Sequence, residues 1–177
     1  FILSSHYRGP INYSKDLLHS AKTSLERIKN CKSNLMFTID NLNEKELSSE
    51  EKSTFEQVEA LKSTFVERMS DDLNTADAIT AIFDLVKLAN TNVNENSSKA
   101  FATKVLEVLN EITKVLNIAN VEKSNDEDES KIQELIVQRN DAKKAKDFAK
   151  ADEIRETLKQ MGIEIKDTRQ GTQWSRI

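Results

Sequence analysis

Residues 1–119 carry apolar side chains at the spacing of amphipathic helices. Four segments repeat apolar positions every three or four residues, and polar runs separate them. Ser14 is the expected N-cap of the first helix. Four such helices with short or polar connections predict an antiparallel helix bundle over residues 1–119. The predicted inward positions are Leu17, Leu18, Ala21, Leu25 and Ile28, then Phe55, Val58, Leu61, Phe65 and Met69, then Ile79, Ile82, Phe83, Val86 and Ala89, and finally Phe101, Val105, Val108, Leu109, Ile112, Val115 and Leu116.

The pattern changes after this region. Residues 120–130 are nearly all polar and include four consecutive acidic positions, which predicts a mobile acidic linker. Residues 131–177 then predict two helices, the second of them capped by Asp147 and ended by Gly162. Apolar and polar residues alternate at 163–166 and again at 172–176, which predicts a β-hairpin. The expected fold is therefore mainly α, with a helix bundle followed by a small α+β unit.

The composition excludes several classes of protein. With three Gly and one Pro among 177 residues, the chain lacks the turn residues of a β-sandwich or barrel. Its three glycines lie far apart, so no glycine-rich loop can cradle a phosphate. No run of about 18 apolar residues exists, so no transmembrane helix is expected. The single cysteine, Cys31, favours a reducing, intracellular location. Because the chain starts with Phe1 in the middle of an apolar run, we expect it to be part of a longer protein.

The charge is unevenly distributed around a net value of −4. Residues 1–30 and 131–177 each carry an excess of basic residues, whereas residues 31–130 carry twice as many acidic residues as basic ones. Basic segments at two separate places suit contact with a polyanion, because phosphate binding is driven by Lys and Arg. The alternative to polyanion binding is that the charged residues of a soluble protein are distributed this unevenly by chance.

The sequence offers no set of residues typical of catalysis or metal binding. His6 and His19 have no neighbouring cysteine or acidic pair, and Cys31 has no partner with zinc-ligand spacing. The acidic run at residues 70–75 is interpreted as the cap of the next helix, with Asn74 or Thr75 as its N-cap. We therefore expect no catalytic residue, no metal site and no cofactor within this chain.

The tail holds the best candidates for ligand binding. Basic residues cluster there, and Phe148 lies among them. Cations that hold phosphates beside a ring that stacks on bases suit unpaired RNA, and Asp152 and Asp167 could accept hydrogen bonds from base N–H groups. The residues alone leave a second interpretation open, in which Phe148 packs between the two helices and the lysines are solvated. The basic residues are Arg139, Lys143, Lys144, Lys146 and Lys150.

Four segments in order resemble the cysteinyl-tRNA synthetase family. HYRGPINYS at residues 6–14 resembles the family's HYRSPINYS, and DDLNT at 71–75 resembles its DDDFNTP. RNDAKKAKDFAKADEIRETL at 139–158 is similar to its R..AR..KDW..AD.IRD.L tail. GIEIKDTRQGTQW at 162–174 is similar to its GI.LEDTPQGT.W ending. Ser70 and Ala76 depart from the second motif, where the family has Asp and Pro.

The resemblance implies the C-terminal part of a class I synthetase, with a DALR-like bundle and a small anticodon-binding domain. The full enzyme would activate cysteine with ATP and transfer it to tRNA(Cys) in the cytoplasm. Its ATP site and its zinc ion would belong to a catalytic domain that precedes this chain, so this chain would bind tRNA without being catalytic. Its partners would be tRNA(Cys), through the GCA anticodon, and that catalytic domain, with no membrane involved.

The resemblance also implies the site residues. The anticodon-binding positions it assigns are Lys143, Phe148, Asp152, Asp167, Arg155 and Trp174. Lys143 stands where Arg is usual in the family, and Lys lacks the planar two-point contact of Arg. Phe148 stands where many members have Trp, so the stacking ring is smaller.

Two other functions remain possible from the sequence. One is a helical module that binds another protein through its acidic middle, without nucleic acid. The other is a relative that ligates cysteine to a small amine, and the anticodon-type tail at residues 139–174 argues against it.

Overall fold

The computed structural model describes residues 1–120, 126–168 and 171–176. It contains, after a 3-10 turn at Ile2–Ser4, helices α1 (Lys15–Asn41), α2 (Ser49–Ser70), α3 (Thr75–Asn92), α4 (Lys99–Val115), α5 (Asp126–Lys144) and α6 (Phe148–Gln160) and strands β1 (Ile163–Thr168) and β2 (Gly171–Arg176). The expected mainly α fold with a terminal hairpin is confirmed. No helix of the described ranges has the length and apolarity needed to cross a membrane.

The chain forms two compact units, Phe1–Val121 and Glu122–Ile177. Each unit has its own hydrophobic cluster, the first built by α1 to α4 and the second by α5, α6 and the hairpin. The predicted linker at 120–130 overlaps the start of α5, because residues 126–130 are helical. Residues 121–125 of that predicted linker lie outside the described residues.

Side-chain caps explain where most of the helices begin. Each cap accepts a hydrogen bond from a backbone N–H of the first helical turn, which otherwise has no partner in the helix. The capping residues are Ser14, Ser48, Asn74, Ser98 and Asp147. Ser48 and Glu51 form a complete capping box, and the same Glu51 carboxylate accepts a bond of 2.6 Å from the Ser98 backbone N–H. Glu51 therefore links the starts of α2 and α4.

The core of the first unit follows the predicted stripes with a few exceptions. Val58, Ile82, Phe101 and Leu109 are fully buried, as expected. Leu17 and Leu18 were expected inside but are almost half exposed, because the part of α1 that joins the core begins near Leu25. Val115 was also expected inside but is exposed, since it lies at the end of α4. The periodic pattern predicts which face of a helix is apolar. It does not show over what length of that helix the other helices of the bundle pack against it.

A buried lysine joins α1 to α4 and to the segment after α4, which the sequence did not indicate. Lys32 lies in the middle of α1, with 4% of its surface exposed. Its ammonium donates to Thr113 Oγ1 at 2.7 Å and to the Ala119 carbonyl at 3.1 Å. Burial lowers the pKa of Lys32, because the charged form loses its hydration. Beside it, burial raises the pKa of the Cys31 thiol to about 11, which leaves little reactive thiolate at neutral pH.

Candidate nucleic-acid interface

The corner between α5 and α6 presents an aromatic ring to solvent. Lys146 has a φ of 59°, which turns the chain sharply, and Asp147 then caps α6 by accepting a bond of 3.1 Å from the Lys150 backbone N–H. Phe148 is the first residue of α6 and is 63% exposed. The interpretation in which Phe148 packs between the helices is therefore wrong. The corner holds the ring away from the core, where it is open to a stacking partner.

The outer face of α6 continues from this ring. Phe148, Asp152 and Arg155 are spaced by four and three residues, so they lie along one face of the helix, and all three are exposed. The opposite face is buried through Ala151, Ile154 and Leu158. Three of the six residues that the family resemblance implied are thus brought together as a solvent-facing stripe, which we call the α6 stripe.

Asp167 on β1 collects four hydrogen-bond donors. Arg139 donates from Nη1 to Oδ1 at 2.9 Å and from Nη2 to Oδ2 at 3.0 Å. Lys143 Nζ donates to Oδ2 at 2.8 Å. The Thr172 hydroxyl donates to Oδ1 at 3.0 Å, and it also lies 3.2 Å from Asn140 Oδ1. We call Asp167 with Arg139, Lys143 and Thr172 the Asp167 cluster; it joins α5 to both strands of the hairpin.

The electrostatics of this cluster favour its charged forms. The hydrogen bonds from Arg139, and then those from Lys143, hold the pKa of Asp167 well below its ordinary range. The bond to Asp167 raises the pKa of Arg139, and the negative charge of Asp152 adds to this effect. The negative charge of Asp152, on the α6 stripe, therefore acts on the Asp167 cluster.

The two remaining positions differ in surroundings. Lys143 is 41% exposed in its side chain and touches Asp167, so it faces both solvent and the cluster. Trp174 lies opposite Ile165 in the hairpin and packs against the apolar cluster of the small unit, formed by Ile132, Ile136, Ile154, Leu158 and Ile163. The structure thus places Trp174 in a packing role beneath the hairpin rather than on the α6 stripe.

Arg139 was noted in the sequence only as one of several basic residues, and Thr172 was not singled out. Arg139 is 8% exposed in its side chain, the lowest value among the cations that pair with carboxylates in the described part of the chain. The spacing of four between Arg139 and Lys143 placed both on one helical face. Only the side-chain bonds between α5 and the hairpin show that Asp167 lies opposite that face.

A second polar cluster joins the two motifs of the first unit. The Asp72 carboxylate accepts a bond of 2.7 Å from the Tyr7 hydroxyl and one of 3.1 Å from Arg8, and His6 Nε2 lies 3.8 Å away. Asp72 and Leu73 have φ values of 52° and 53°, so the turn before α3 adopts a left-handed conformation that non-glycine residues rarely take. Asn74 caps α3, as the sequence indicated, but the loop is more than a cap. We call this contact the Asp72 clasp.

Within the described residues, no group of three or more His, Cys, Asp or Glu side chains could hold a metal ion.

Comparison with known proteins agrees with the order of these sites along the chain. The family profile described as "DALR domain" matches residues 64–122, which include the Asp72 turn. The profile described as "Cysteinyl-tRNA ligase anticodon binding domain" matches residues 126–174, which include the α6 stripe and the Asp167 cluster.

Full-length relatives carry the corresponding name. The chain is 49% identical over 177 residues to a cysteine–tRNA ligase of Clostridioides difficile (strain 630), and the match covers 100% of this chain and 38% of that protein. It is 42% identical over 176 residues to a cysteine–tRNA ligase of Lachnospira eligens, with 99% of this chain and 37% of that protein covered. The chain therefore spans less than half the length of these relatives. It belongs to the cysteinyl-tRNA ligase family, of which it carries the DALR domain and the anticodon-binding domain.

Proposed function

We propose that this chain is the tRNA-recognition part of a cysteine–tRNA ligase, and that its small unit binds the anticodon of tRNA(Cys). The observation that carries the proposal is the exposed Phe148 ring at the start of the α6 stripe, whose Asp152 acts electrostatically on Arg139 of the Asp167 cluster. In such a site the exposed ring can stack on one unpaired base, and the carboxylates can accept hydrogen bonds from another. The cations can neutralise the phosphates between the two bases. The proposed contact residues are Lys143, Phe148, Asp152, Asp167 and Arg155, with Trp174 supporting them from below the hairpin.

The whole protein's reaction belongs to the same proposal. It would activate cysteine with ATP and transfer the cysteine to tRNA(Cys), and the ATP and zinc sites would lie in a catalytic domain outside this chain. The role of this chain in that reaction is to bind and orient the tRNA. A cytoplasmic location goes with the proposal, since a buried free thiol such as Cys31 suits a reducing compartment.

Binding of tRNA tests the proposal directly. Filter binding should show that the chain prefers tRNA(Cys) to a variant with a changed first anticodon base. One lost base contact of this kind corresponds to about 1–3 kcal/mol, or roughly 5- to 150-fold in affinity. Equal affinity for both RNAs at moderate salt would contradict anticodon recognition by this chain.

The Phe148→Ala variant should weaken binding of tRNA(Cys) by about 1–3 kcal/mol, because a stacked base would lose its platform. The exposed position predicts little change in the free energy of unfolding. Phe148→Tyr keeps a ring and should bind nearly as well as the original chain. Met161→Ala removes an exposed apolar side chain at the other end of α6 and serves as the control. If a folded Phe148→Ala chain binds tRNA(Cys) with unchanged affinity, the Phe148 ring does not contact the tRNA.

A further inference from the structure

The Asp167 carboxylate has no acceptor position to spare in the conformation described. A carboxylate offers about four lone-pair positions. Arg139 occupies one on each oxygen, Lys143 takes a second position on Oδ2 and Thr172 takes a second on Oδ1. A base N–H group can reach this carboxylate only if one of these donors leaves.

The donors differ in how easily they can leave. Arg139 makes two parallel bonds and its side chain is 8% exposed, so its release would strand a desolvated guanidinium. Lys143 makes one bond, and its side chain is 41% exposed. Water or a phosphate can therefore replace Asp167 as the partner of the Lys143 ammonium at little cost in free energy. Lys143 is therefore the exchangeable donor on Oδ2, the oxygen that the Thr172 hydroxyl does not contact, and Arg139 is the positioning residue that keeps Asp167 in place.

We propose that the Lys143–Asp167 ion pair is a specificity-determining contact that is closed in the free chain and is opened by RNA. On binding, Lys143 moves to a backbone phosphate, and a base N–H group takes its place on Asp167 Oδ2. Arg139 and Thr172 stay bound to the carboxylate throughout. The inference rests on the proposed function, because it assigns this exchange to the same anticodon-binding face.

The exchange makes selectivity a matter of two simultaneous contacts. A nucleotide that supplies only a phosphate draws Lys143 away and leaves an acceptor position on Asp167 unfilled, which costs affinity. A nucleotide whose base presents an N–H group at the right place fills that position. The closed pair thus penalises RNA that offers charge without the correct base, as in other sites that discriminate by leaving wrong partners unsatisfied.

The test compares Lys143→Gln with the original chain and with Lys159→Gln. The first substitution keeps a donor for Asp167 but removes the charge, whereas Lys159 lies in the last turn of α6, far along the helix from Phe148. Affinities are measured for tRNA(Cys) and for the anticodon variant over a range of salt concentrations. Trp174 fluorescence shows that each variant retains its folded small unit, since this single tryptophan packs against that unit's core.

We expect Lys143→Gln to reduce the slope of log affinity against log salt by about 0.7, the value for one phosphate contact on single-stranded RNA. We also expect its preference for tRNA(Cys) over the anticodon variant to fall by roughly fivefold, because a neutral Gln is not drawn to a phosphate and can stay on Asp167 when the base is wrong, so no acceptor position is left unfilled. Lys159→Gln should change neither quantity.

An unchanged slope or an unchanged preference in a folded Lys143→Gln chain would overturn the exchange. If the original chain itself shows no preference between the two RNAs, the proposed function fails, and the inference fails with it. The two failures are told apart by the behaviour of the original chain.

Discussion

Replacing Asp167 with alanine is expected to destabilise the small unit by roughly 2–3 kcal/mol. The substitution strands the Arg139 guanidinium, which is 8% exposed, and removes a partner from Lys143 and Thr172. Breaking a buried pair by deleting one partner typically costs about 3–5 kcal/mol, and the partial exposure of Asp167 lowers that figure. A unit of this size has only a small margin of stability, so much of it should be lost.

Trp174 fluorescence during urea unfolding measures this loss. The tryptophan packs against the core of the small unit, and the first unit contains no tryptophan, so the signal reports the small unit alone. The matched control is Asp141→Ala, which removes an exposed carboxylate of α5 whose only described ion pair is with Lys144 at 3.3 Å. Equal unfolding midpoints for Asp167→Ala and Asp141→Ala would show that the Asp167 cluster contributes little to stability.

Acid should also destabilise the small unit of the original chain, because it protonates Asp167. Because the pKa of Asp167 is lower in the folded state than in the unfolded chain, its contribution to stability is present above the ordinary Asp pKa of about 4 and is lost as the pH falls below it. Asp167→Ala lacks this contribution, so the difference in stability between the two chains should shrink as the pH falls from about 5 towards 2.

The second large effect is expected in the bundle. Phe101→Ala should lower the free energy of unfolding of the first unit by about 3–5 kcal/mol, the usual cost of removing a fully buried phenyl ring. Phe101 is 0% exposed, and α4, which carries it, packs against α1, α2 and α3. The remaining helices cannot close around the space without giving up contacts of their own.

Urea unfolding followed by far-UV circular dichroism measures the effect. Val115→Ala on the same helix is the control, because Val115 is 61% exposed and its truncation should change stability by less than about 0.5 kcal/mol. The Trp174 signal of Phe101→Ala should change little, since the two units have separate apolar clusters. A loss below about 1 kcal/mol would mean that the ring is less tightly packed than its burial indicates.

Features that depend on neighbouring residues were predictable from the sequence. The caps at Ser14 and Asp147 and the helix end at Gly162 involve contacts within one turn, and the structure has each of them at the expected place. The alternation at residues 163–166 and 172–176 also gave the hairpin, although its strands extend further, to Thr168 and from Gly171. These features depend on residues that are close in the sequence, so they form independently of the tertiary contacts made by the rest of the chain.

Contacts between distant residues were not predictable in this way. The sequence made Asp167 a candidate acceptor for a base but did not indicate the donors from α5 and β2 that its carboxylate binds in the structure. Nothing in the residues around Lys32 indicated a buried ammonium, because its two acceptors lie 81 and 87 positions further along the chain. Resemblance to a family suggested candidate binding residues in the tail but did not show which of them contact one another.

The Asp72 clasp has a kinetic consequence. Its bonds from Tyr7 and Arg8 span 65 and 64 residues, so forming them requires closure of a very long loop, and both partners are exposed. We expect contacts of this kind to form after the helices have docked and to contribute little to the transition state for folding. Weakening the clasp should therefore accelerate unfolding and leave the refolding rate nearly unchanged. Amide hydrogens near residues 71–75 should accordingly exchange with solvent sooner than those in the middle of α3, because the turn can detach while the bundle stays intact.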